Sequence, residues 1–249
     1  RIVGEDRLLT GPEAGITRDS IAVEWEHDGR SIKLIDTAGL RRRSKVQDKV
    51  EGLSATDSYR AIQYAQIVVL VLDGNLMLEK QDLTIARQVI EEGRVLMIAV
   101  NKWDAVKDRK QALQDLDDRL QTSLPQVRGI PIITLSALTG KNTDKLIPAA
   151  FKIFEIWNRR IPTGKLNQWL EMMTERHPPP MSSGRRIRIR YMTQAKTRPP
   201  TFVIFSSKGN ALPEAYRRFL VNGIREDFDL PGVPIRVLVR KGNNPYVDS

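Results

Sequence analysis

The ten residues VLMIAVNKWD (Val95–Asp104) join an unbroken apolar run to a polar turn. A continuous apolar run is typical of a strand that is buried on both faces, because a half-exposed strand would alternate. Two more runs have this character, IVVLVL (Ile67–Leu72) and IPIITL (Ile130–Leu135). Such strands form parallel sheets that helices cover on both sides, so we predict an α/β domain.

The segments around these runs extend the same pattern. Asp28-Gly29 separates two shorter apolar segments, Ile21–Trp25 and Ser31–Ile35, and predicts an antiparallel hairpin. Helices are expected near residues 53–65, 80–92, 109–121 and 142–159. This alternation of strands and helices predicts a doubly wound sheet, which we assign to a first domain, residues 1–160.

The pattern changes after residue 160. The expected elements are a helix, two strands, an amphipathic helix and a strand, at Leu166–Thr174, Arg186–Met192, Thr201–Phe205, Pro213–Phe228 and Val233–Val239. The order α-β-β-α-β predicts a small α+β domain at residues 161–249.

Composition excludes several classes of function. There is no cysteine and there are two histidines, which excludes disulfides, thiolate zinc sites and histidine-rich metal sites, and fits a reducing cytoplasm. No apolar run approaches the roughly 18–20 residues of a membrane span, so a membrane is not an expected partner. Residues 161–249 hold 15 Lys and Arg against 7 Asp and Glu, which is +8 of the net charge of +10. This asymmetry favours a polyanionic partner or, equally well, a solvated basic surface.

The turn Asn101-Lys102-Trp103-Asp104 has the chemistry to recognise guanine. The Asp104 carboxylate can accept two parallel hydrogen bonds from guanine N1–H and the N2 amino group, while Lys102 lies across the base and Asn101 braces the loop. Ser136-Ala137 follows the next apolar run, and a backbone N–H there can donate to guanine O6. A capped turn between strand and helix is the alternative interpretation.

Two other segments suit phosphate and Mg²⁺. Asp36-Thr37-Ala38-Gly39 directly follows a strand, so Asp36 can contact Mg²⁺ through water and the Gly39 N–H can contact a terminal phosphate. Thr17, within Gly15–Asp19, carries a hydroxyl suited to sensing Mg²⁺ and the γ-phosphate. An ordinary turn and an ordinary polar loop are the alternatives.

The order and spacing of these elements resemble the translation-factor-related class of small GTPases. Four segments are similar to the Der (EngA) family of bacterial ribosome-assembly GTPases: Gly11–Asp19, Val46–Glu51, Asn101–Asp104 and Gly242–Tyr246. The resemblance implies the second of two tandem G domains, a P-loop NTPase fold, followed by a KH-like domain. It implies GTP hydrolysis in ribosome biogenesis, with GTP or GDP and Mg²⁺ as ligands and a ribosomal subunit with its rRNA, the large one, as partner.

The resemblance also assigns roles to residues. The guanine set is Asn101, Lys102, Trp103, Asp104, Ser136 and Ala137, and the phosphate and switch set is Thr17, Asp36, Thr37, Ala38, Gly39 and Leu40. Thr17 and Asp36 are the expected Mg²⁺ ligands. Leu40 stands where Ras-type enzymes have the water-orienting glutamine, so the catalytic residues stay unassigned, and the resemblance suggests a K⁺ ion in the full-length protein.

The phosphate-binding loop G-x-x-x-x-G-K-[ST] is absent. Gly140-Lys141-Asn142 does not qualify, because Leu135 stands five positions before Gly140 and Asn142 lacks a hydroxyl. We therefore expect the first strand, the P-loop and the first G domain in cis to be missing from these 249 residues. Because that loop supplies most phosphate affinity, the chain is expected to bind nucleotide weakly or not at all and to be inactive.

Arg186, Arg188 and Arg190 are expected on one face of a strand, where they would contact RNA phosphates. No G-x-x-G loop follows residue 161, so structured rRNA or protein is expected rather than a single strand read by sequence. Two other functions stay open: an Era-like GTPase and a non-catalytic RNA- or ribosome-binding scaffold. The missing G-x-x-G and Trp103 argue against the former, and GDP affinity would separate the latter.

Overall fold

The computed structural model describes residues 22–35, 61–182, 185–207 and 212–241. Thr17 and Asp36–Leu40, the predicted phosphate, switch and magnesium residues, lie outside these ranges. The helix expected at residues 53–65 is described only from residue 61, where residues 61–64 are helical.

The predicted hairpin is present as β1 (Ala22–His27) and β2 (Arg30–Ile35), which pair antiparallel. Asp28 and Gly29 both have positive φ, at 50° and 72°. A two-residue turn of this kind twists in the same sense as the strands it connects, which explains the Asp-Gly pair.

A parallel sheet follows, with the order β3-β4-β5, made of β3 (Ile67–Asp73), β4 (Val95–Asn101) and β5 (Ile132–Thr134). The strand β4 is central, and all of its residues from Val95 to Val100 are buried. Leu96, Ile98 and Val100 belong to one apolar cluster and Val95, Met97 and Ala99 to another. Both faces of β4 are therefore covered, as the unbroken apolar run predicted.

Besides the helical residues 61–64, the described helices of this part are α1 (Lys80–Glu91), α2 (Arg109–Ser123) and α3 (Leu146–Trp157). Two elements are shorter than predicted. The helix expected from residue 142 begins at Leu146, because Asn142 is left-handed at φ 60° and residues 143–145 form a 3₁₀ turn. The strand β5 begins at Ile132 because Pro131 has no N–H to donate to a ladder.

The carboxy-terminal part comprises α4 (Thr163–Arg176), β6 (Met181–Ser182), β7 (Arg185–Arg186), β8 (Ile189–Lys196), β9 (Thr201–Ser206), α5 (Glu214–Asp227) and β10 (Arg236–Lys241). The last three strands form a sheet of order β10-β9-β8, in which β9 is parallel to β10 and antiparallel to β8. The predicted α-β-β-α-β order is confirmed, with the short β6–β7 hairpin as an addition.

One strand prediction in this part is wrong. Arg186, Arg188 and Arg190 do not share one face of a continuous strand: Arg186 ends β7, Arg188 lies between strands, and the register of β8 shifts between Ile189 and Tyr191. Arg188 pairs instead with Ser207, since the Arg188 N–H donates to the Ser207 side chain at 3.1 Å and its carbonyl accepts from the Ser207 N–H at 2.9 Å. The last strand also starts later than Val233, after Pro234, for the reason given for β5.

A single apolar cluster runs through both parts of the chain. It contains Val95, Met97 and Ala99 of β4, Trp157 of α3 and Phe202 and Ile204 of β9. The amide of Gln194 reinforces the connection, because it accepts from the Ile161 N–H at 2.8 Å and donates to the Arg159 carbonyl at 3.0 Å. The domain boundary at residue 160 remains a prediction from the sequence. The apolar cluster contains residues from both sides of this boundary.

Arg225 of α5 makes further contacts between the two parts of the chain, and we call these contacts the joint. The residue is 5% exposed, and its guanidinium donates to the carbonyls of Leu230 (3.1 Å), Val233 (2.8 Å) and Gln126 (2.8 Å). The Gly232 N–H donates to the Arg128 carbonyl at 2.7 Å. Gln126 and Arg128 precede β5, so the joint lies at the amino-terminal edge of the parallel sheet.

No helix among the described residues has both the length and the apolar character that crossing a membrane requires.

Candidate guanine-recognition site

The carboxyl ends of β4 and β5 lie side by side and present two loops, residues 101–105 and 135–138, which we call the guanine loops. The Leu135 N–H donates to the Val100 carbonyl at 2.9 Å, and the Trp103 N–H donates to the Leu135 carbonyl at 3.1 Å. Neighbouring parallel strands end at the same edge of a sheet, which is where ligands bind in open α/β sheets. The two predicted segments therefore meet.

Asn101 holds the two guanine loops together. Its side-chain oxygen accepts from the Lys102 N–H at 2.8 Å and from the Ala137 N–H at 2.9 Å. A single acceptor thus joins the two loops, and its bond to Ala137 spans 36 residues of sequence. This geometry is what the bracing role of Asn101 requires.

The same bond bears on the predicted recognition of guanine O6. The Ala137 N–H donates to Asn101, and the Ser136 N–H donates to the Lys141 carbonyl at 3.0 Å. Both backbone donors of the Ser136-Ala137 pair are therefore engaged within the protein. A base oxygen at this position would share or displace the bond to Asn101.

Lys102 is held by a residue that the sequence motifs did not identify. Its backbone is left-handed at φ 57°, and its Nζ lies 2.7 Å from Oδ2 of Asp73 at the end of β3. The hydrogen bond from Lys102 and a second from the Asn75 N–H (3.0 Å) lower the pKa of the Asp73 carboxyl, which stays ionised. An acidic residue that ends a buried strand and precedes a glycine, as in Asp73-Gly74, is the signal that points to it.

Asp104 is an exposed carboxylate with a buried neighbour. The hydroxyl of Ser136, whose side chain is almost wholly buried, hydrogen-bonds to Asp104 and is the main cause of the lowered pKa of that carboxyl. The Ser136 oxygen in turn accepts from the Thr139 N–H at 3.2 Å. Asp104 is therefore an ionised, oriented hydrogen-bond acceptor at neutral pH.

An open cavity of about 480 Å³ lies beside these groups. Its lining residues are Trp103, Asp104, Arg109, Leu135, Ser136, Thr139, Gly140, Lys141 and Asn142. Trp103 is only 9% exposed and belongs to an apolar cluster, so packing is its main contribution. Leu138, absent from the predicted set, is 78% exposed next to Ala137, where its apolar side chain can cover one face of a base.

The structure thus brings together the six predicted guanine residues, Asn101, Lys102, Trp103, Asp104, Ser136 and Ala137. Arg188 and Arg190 are exposed in the carboxy-terminal part and do not line this cavity. Within the ranges that the structure describes, no three His, Asp or Glu side chains cluster as metal ligands would. The expected Mg²⁺ ligands, Thr17 and Asp36, lie outside those ranges.

Two family models match the chain. Residues 1–102 match a family described as 50S ribosome-binding GTPase, and residues 160–240 match the KH-domain-like family of EngA bacterial GTPase enzymes, C-terminal. Among solved structures, Era in complex with MgGDPNP and nucleotides 1506–1542 of 16S ribosomal RNA is similar at a TM-score of 0.48 and 16% identity, with 98% of this chain and 87% of that chain covered.

Similar relatives are named GTPase Der. The protein of Parvibaculum lavamentivorans is 54% identical over 248 residues, which cover 100% of this chain and 52% of the relative. The protein of Brucella melitensis biotype 2 is 55% identical over 245 residues, which cover 98% of this chain and 51% of the relative. The chain therefore spans about half the length of the curated relatives it matches. With this identity along its whole length and an EngA-type KH-like domain at its carboxyl end, the chain belongs to the GTPase Der (EngA) family.

Proposed function

We propose that the chain is part of a GTP-binding, GTP-hydrolysing switch protein that acts in the assembly of the large ribosomal subunit in the cytoplasm. The observation that carries this proposal is the pair of guanine loops joined by Asn101, with the ionised Asp104 beside them. The similarity to GTPase Der relatives supports the same conclusion.

Recognition of guanine follows from the chemistry of Asp104. An ionised carboxylate accepts from N1–H and the N2 amino group of guanine, whereas adenine has no N2 amino group and presents a lone pair at N1. A base that covers this carboxylate without donating to it leaves the acceptor desolvated and unpaired, which rejects the wrong base by roughly 10⁴-fold or more. The ion pair with Asp73 fixes the stem of Lys102, and Leu138 supplies an apolar surface on the side of Ala137.

The residues proposed for the phosphate side of the site are assigned from the resemblance to the Der family. Thr17 and Asp36 are the proposed Mg²⁺ ligands, and Thr37, Ala38, Gly39 and Leu40 accompany them in the proposed switch segment. A bound Mg²⁺ would neutralise developing charge on the phosphates, and a K⁺ ion is proposed for the full-length protein. In the chain itself, the absent P-loop motif leads us to expect weak nucleotide binding.

The test exchanges the acceptor at position 104. A protein in which the P-loop-bearing segment of a Der relative precedes Arg1 is titrated with fluorescent GDP, XDP and ADP. We expect Asp104→Asn to lower GDP affinity by about 10²-fold or more and to raise XDP affinity, because the amide donates to xanthine O2. Asp115→Asn, an equivalent change at an exposed position of α2, is the control and should change neither affinity. Equal binding of GDP and ADP by the unmutated protein would refute guanine recognition.

The ribosomal part of the proposal needs its own measurement. Cosedimentation of the same protein with isolated large and small subunits is compared in GTP, GDP and a non-hydrolysable analogue. Nucleotide-dependent binding to the large subunit is expected. Binding to ribosomes without any GDP affinity would favour a non-catalytic scaffold instead, and preference for the small subunit would contradict the proposed partner.

A further inference from the structure

Among the described residues, the sheet β10-β9-β8 buries one face in the apolar cluster and leaves the other face partly exposed. Met192, Phe202 and Ile204 point towards the helices and are fully buried in the apolar cluster. The opposite face carries Tyr191 and Leu238, which are 46% and 47% exposed. Two large apolar side chains on this sheet face are therefore accessible to a partner.

The aromatic rings on this face form a stack. Tyr191 and Phe205 are cross-strand partners whose ring centroids are 4.3 Å apart, with planes inclined by 14°. Phe205 is paired in turn with Arg240 on β10. One row across the sheet therefore holds a tyrosine, a phenylalanine and an arginine, all of which have planar groups that stack on nucleobases.

Tyr191 is the outer member of this row. In the described sheet its strand, β8, is an edge strand, so the Phe205 ring covers one side of the Tyr191 ring and no strand flanks the other. The 46% exposure of Tyr191 is consistent with an open ring face. A base placed there would continue a stack that already exists.

The charge of the sheet suits a polyanion. Strands β8, β9 and β10 contain no carboxylate, and Arg240 lies in the same row as Tyr191 and Phe205. Arg188 and Arg190, which flank Ile189 just before Tyr191, are both exposed. An aromatic stack bordered by cations is how proteins bind unpaired nucleotides largely independently of sequence.

We propose that Tyr191 stacks on an unpaired base of an RNA, while Arg188, Arg190 and Arg240 contact the adjoining phosphates. The ligand is an unstacked nucleotide, in a loop, bulge or single strand, of any sequence. This inference rests on the proposed function only in taking RNA as the partner of this part. It explains how a KH-like part without a G-x-x-G loop holds RNA: with its open sheet face.

The experiment uses the 249-residue chain and a 12-nucleotide RNA with a central 2-aminopurine, whose fluorescence falls when the base stacks. Quenching is expected with the single strand and not with the fully paired duplex. Tyr191→Ala should weaken single-strand binding roughly 5- to 150-fold and abolish the quenching, whereas Tyr191→Phe should retain both. Arg188→Ala should instead lower the slope of log K against log salt by about 0.7.

Arg218→Ala, which removes an exposed charge on α5, is the matched control and should leave quenching unchanged. Circular dichroism checks that the Tyr191→Ala variant is folded. If the variant is unfolded, quenching by the unmutated chain with single strand and duplex still tests the stacking. Equal quenching by Tyr191→Ala and the unmutated chain, or equal affinity for duplex and single strand, would overturn the stacking site. If large-subunit binding survives that result, the proposed function stands; if the chain binds neither RNA nor subunits, both fail.

Discussion

Replacing Arg225 with alanine is expected to destabilise the folded chain by roughly 1.5–6 kcal/mol. The guanidinium donates three hydrogen bonds to backbone carbonyls, two in residues 230–233 and one at Gln126. Bonds from a charged donor contribute about 1.5–3 kcal/mol each, and the truncation leaves all three acceptors without this donor.

A compensating term reduces this loss. Burial lowers the pKa of Arg225 from 12.5 to about 10, so the charged form is disfavoured in the fold by about 3 kcal/mol, which alanine recovers. The Nε of Arg225, buried without a hydrogen-bond partner, adds to that penalty. The net effect on the free energy of unfolding stays destabilising, because the three lost hydrogen bonds contribute more than the desolvation penalty that alanine removes.

Urea unfolding, followed by far-UV circular dichroism and by tryptophan fluorescence, measures this change. Arg225→Lys can satisfy one or two of the three carbonyls and should fall between the unmutated chain and Arg225→Ala. Arg218→Ala, exposed on the same helix, should stay within about 0.5 kcal/mol of the unmutated chain. A midpoint for Arg225→Ala equal to that of Arg218→Ala would refute the importance of this joint.

Three further changes test other features of the structure. Gly74→Ala places a Cβ 2.6 Å from Val106 Cγ2 and 3.1 Å from the Asn101 carbonyl, and should cost about 1–3 kcal/mol in thermal unfolding. Asn101→Ala leaves two backbone N–H groups without their acceptor, and should lower GDP affinity about tenfold or more in the P-loop-bearing protein, measured by titration. The Tyr216 hydroxyl donates to the His177 carbonyl at 2.6 Å, so Tyr216→Phe should cost about 1 kcal/mol at pH 7 in urea unfolding. Burial raises the pKa of Tyr216 from 10.0 to about 12. The contribution of this hydroxyl to the free energy of unfolding is therefore complete below pH 10 and is lost as the pH rises through 12. The Tyr216→Phe variant should not show this loss.

Hydrophobic periodicity was sufficient to predict the central strands. A strand buried on both faces has a continuous apolar run, and a strand buried on one face alternates apolar and polar residues. The six apolar residues of β4 alternate between two clusters, and each cluster is where a helix packs. The ends of elements depend on backbone details that periodicity does not contain. Pro131 and the left-handed Asn142 shorten β5 and α3 in ways that only local geometry reveals.

The meeting of the six proposed guanine residues could be predicted because they lie in two short loops at the ends of neighbouring strands. Asp73 was not, since it comes from a third strand and acts through an ion pair 29 residues away in sequence. Arg225 was also missed, because an arginine on an amphipathic helix is normally placed on the solvent side. Its burial follows from three carbonyls that no motif brings together.

The continuous apolar cluster has a practical consequence for dissecting the protein. Cutting the chain near residue 160 would leave Trp157 and one face of β4 uncovered on one fragment, and Phe202 and the helix faces uncovered on the other. Each half expressed alone would expose a large apolar surface and would tend to aggregate. Fragments intended for biochemistry should therefore keep both parts in one polypeptide, and an exchange of the KH-like part for that of a homologue should also replace its contacts on β4 and α3.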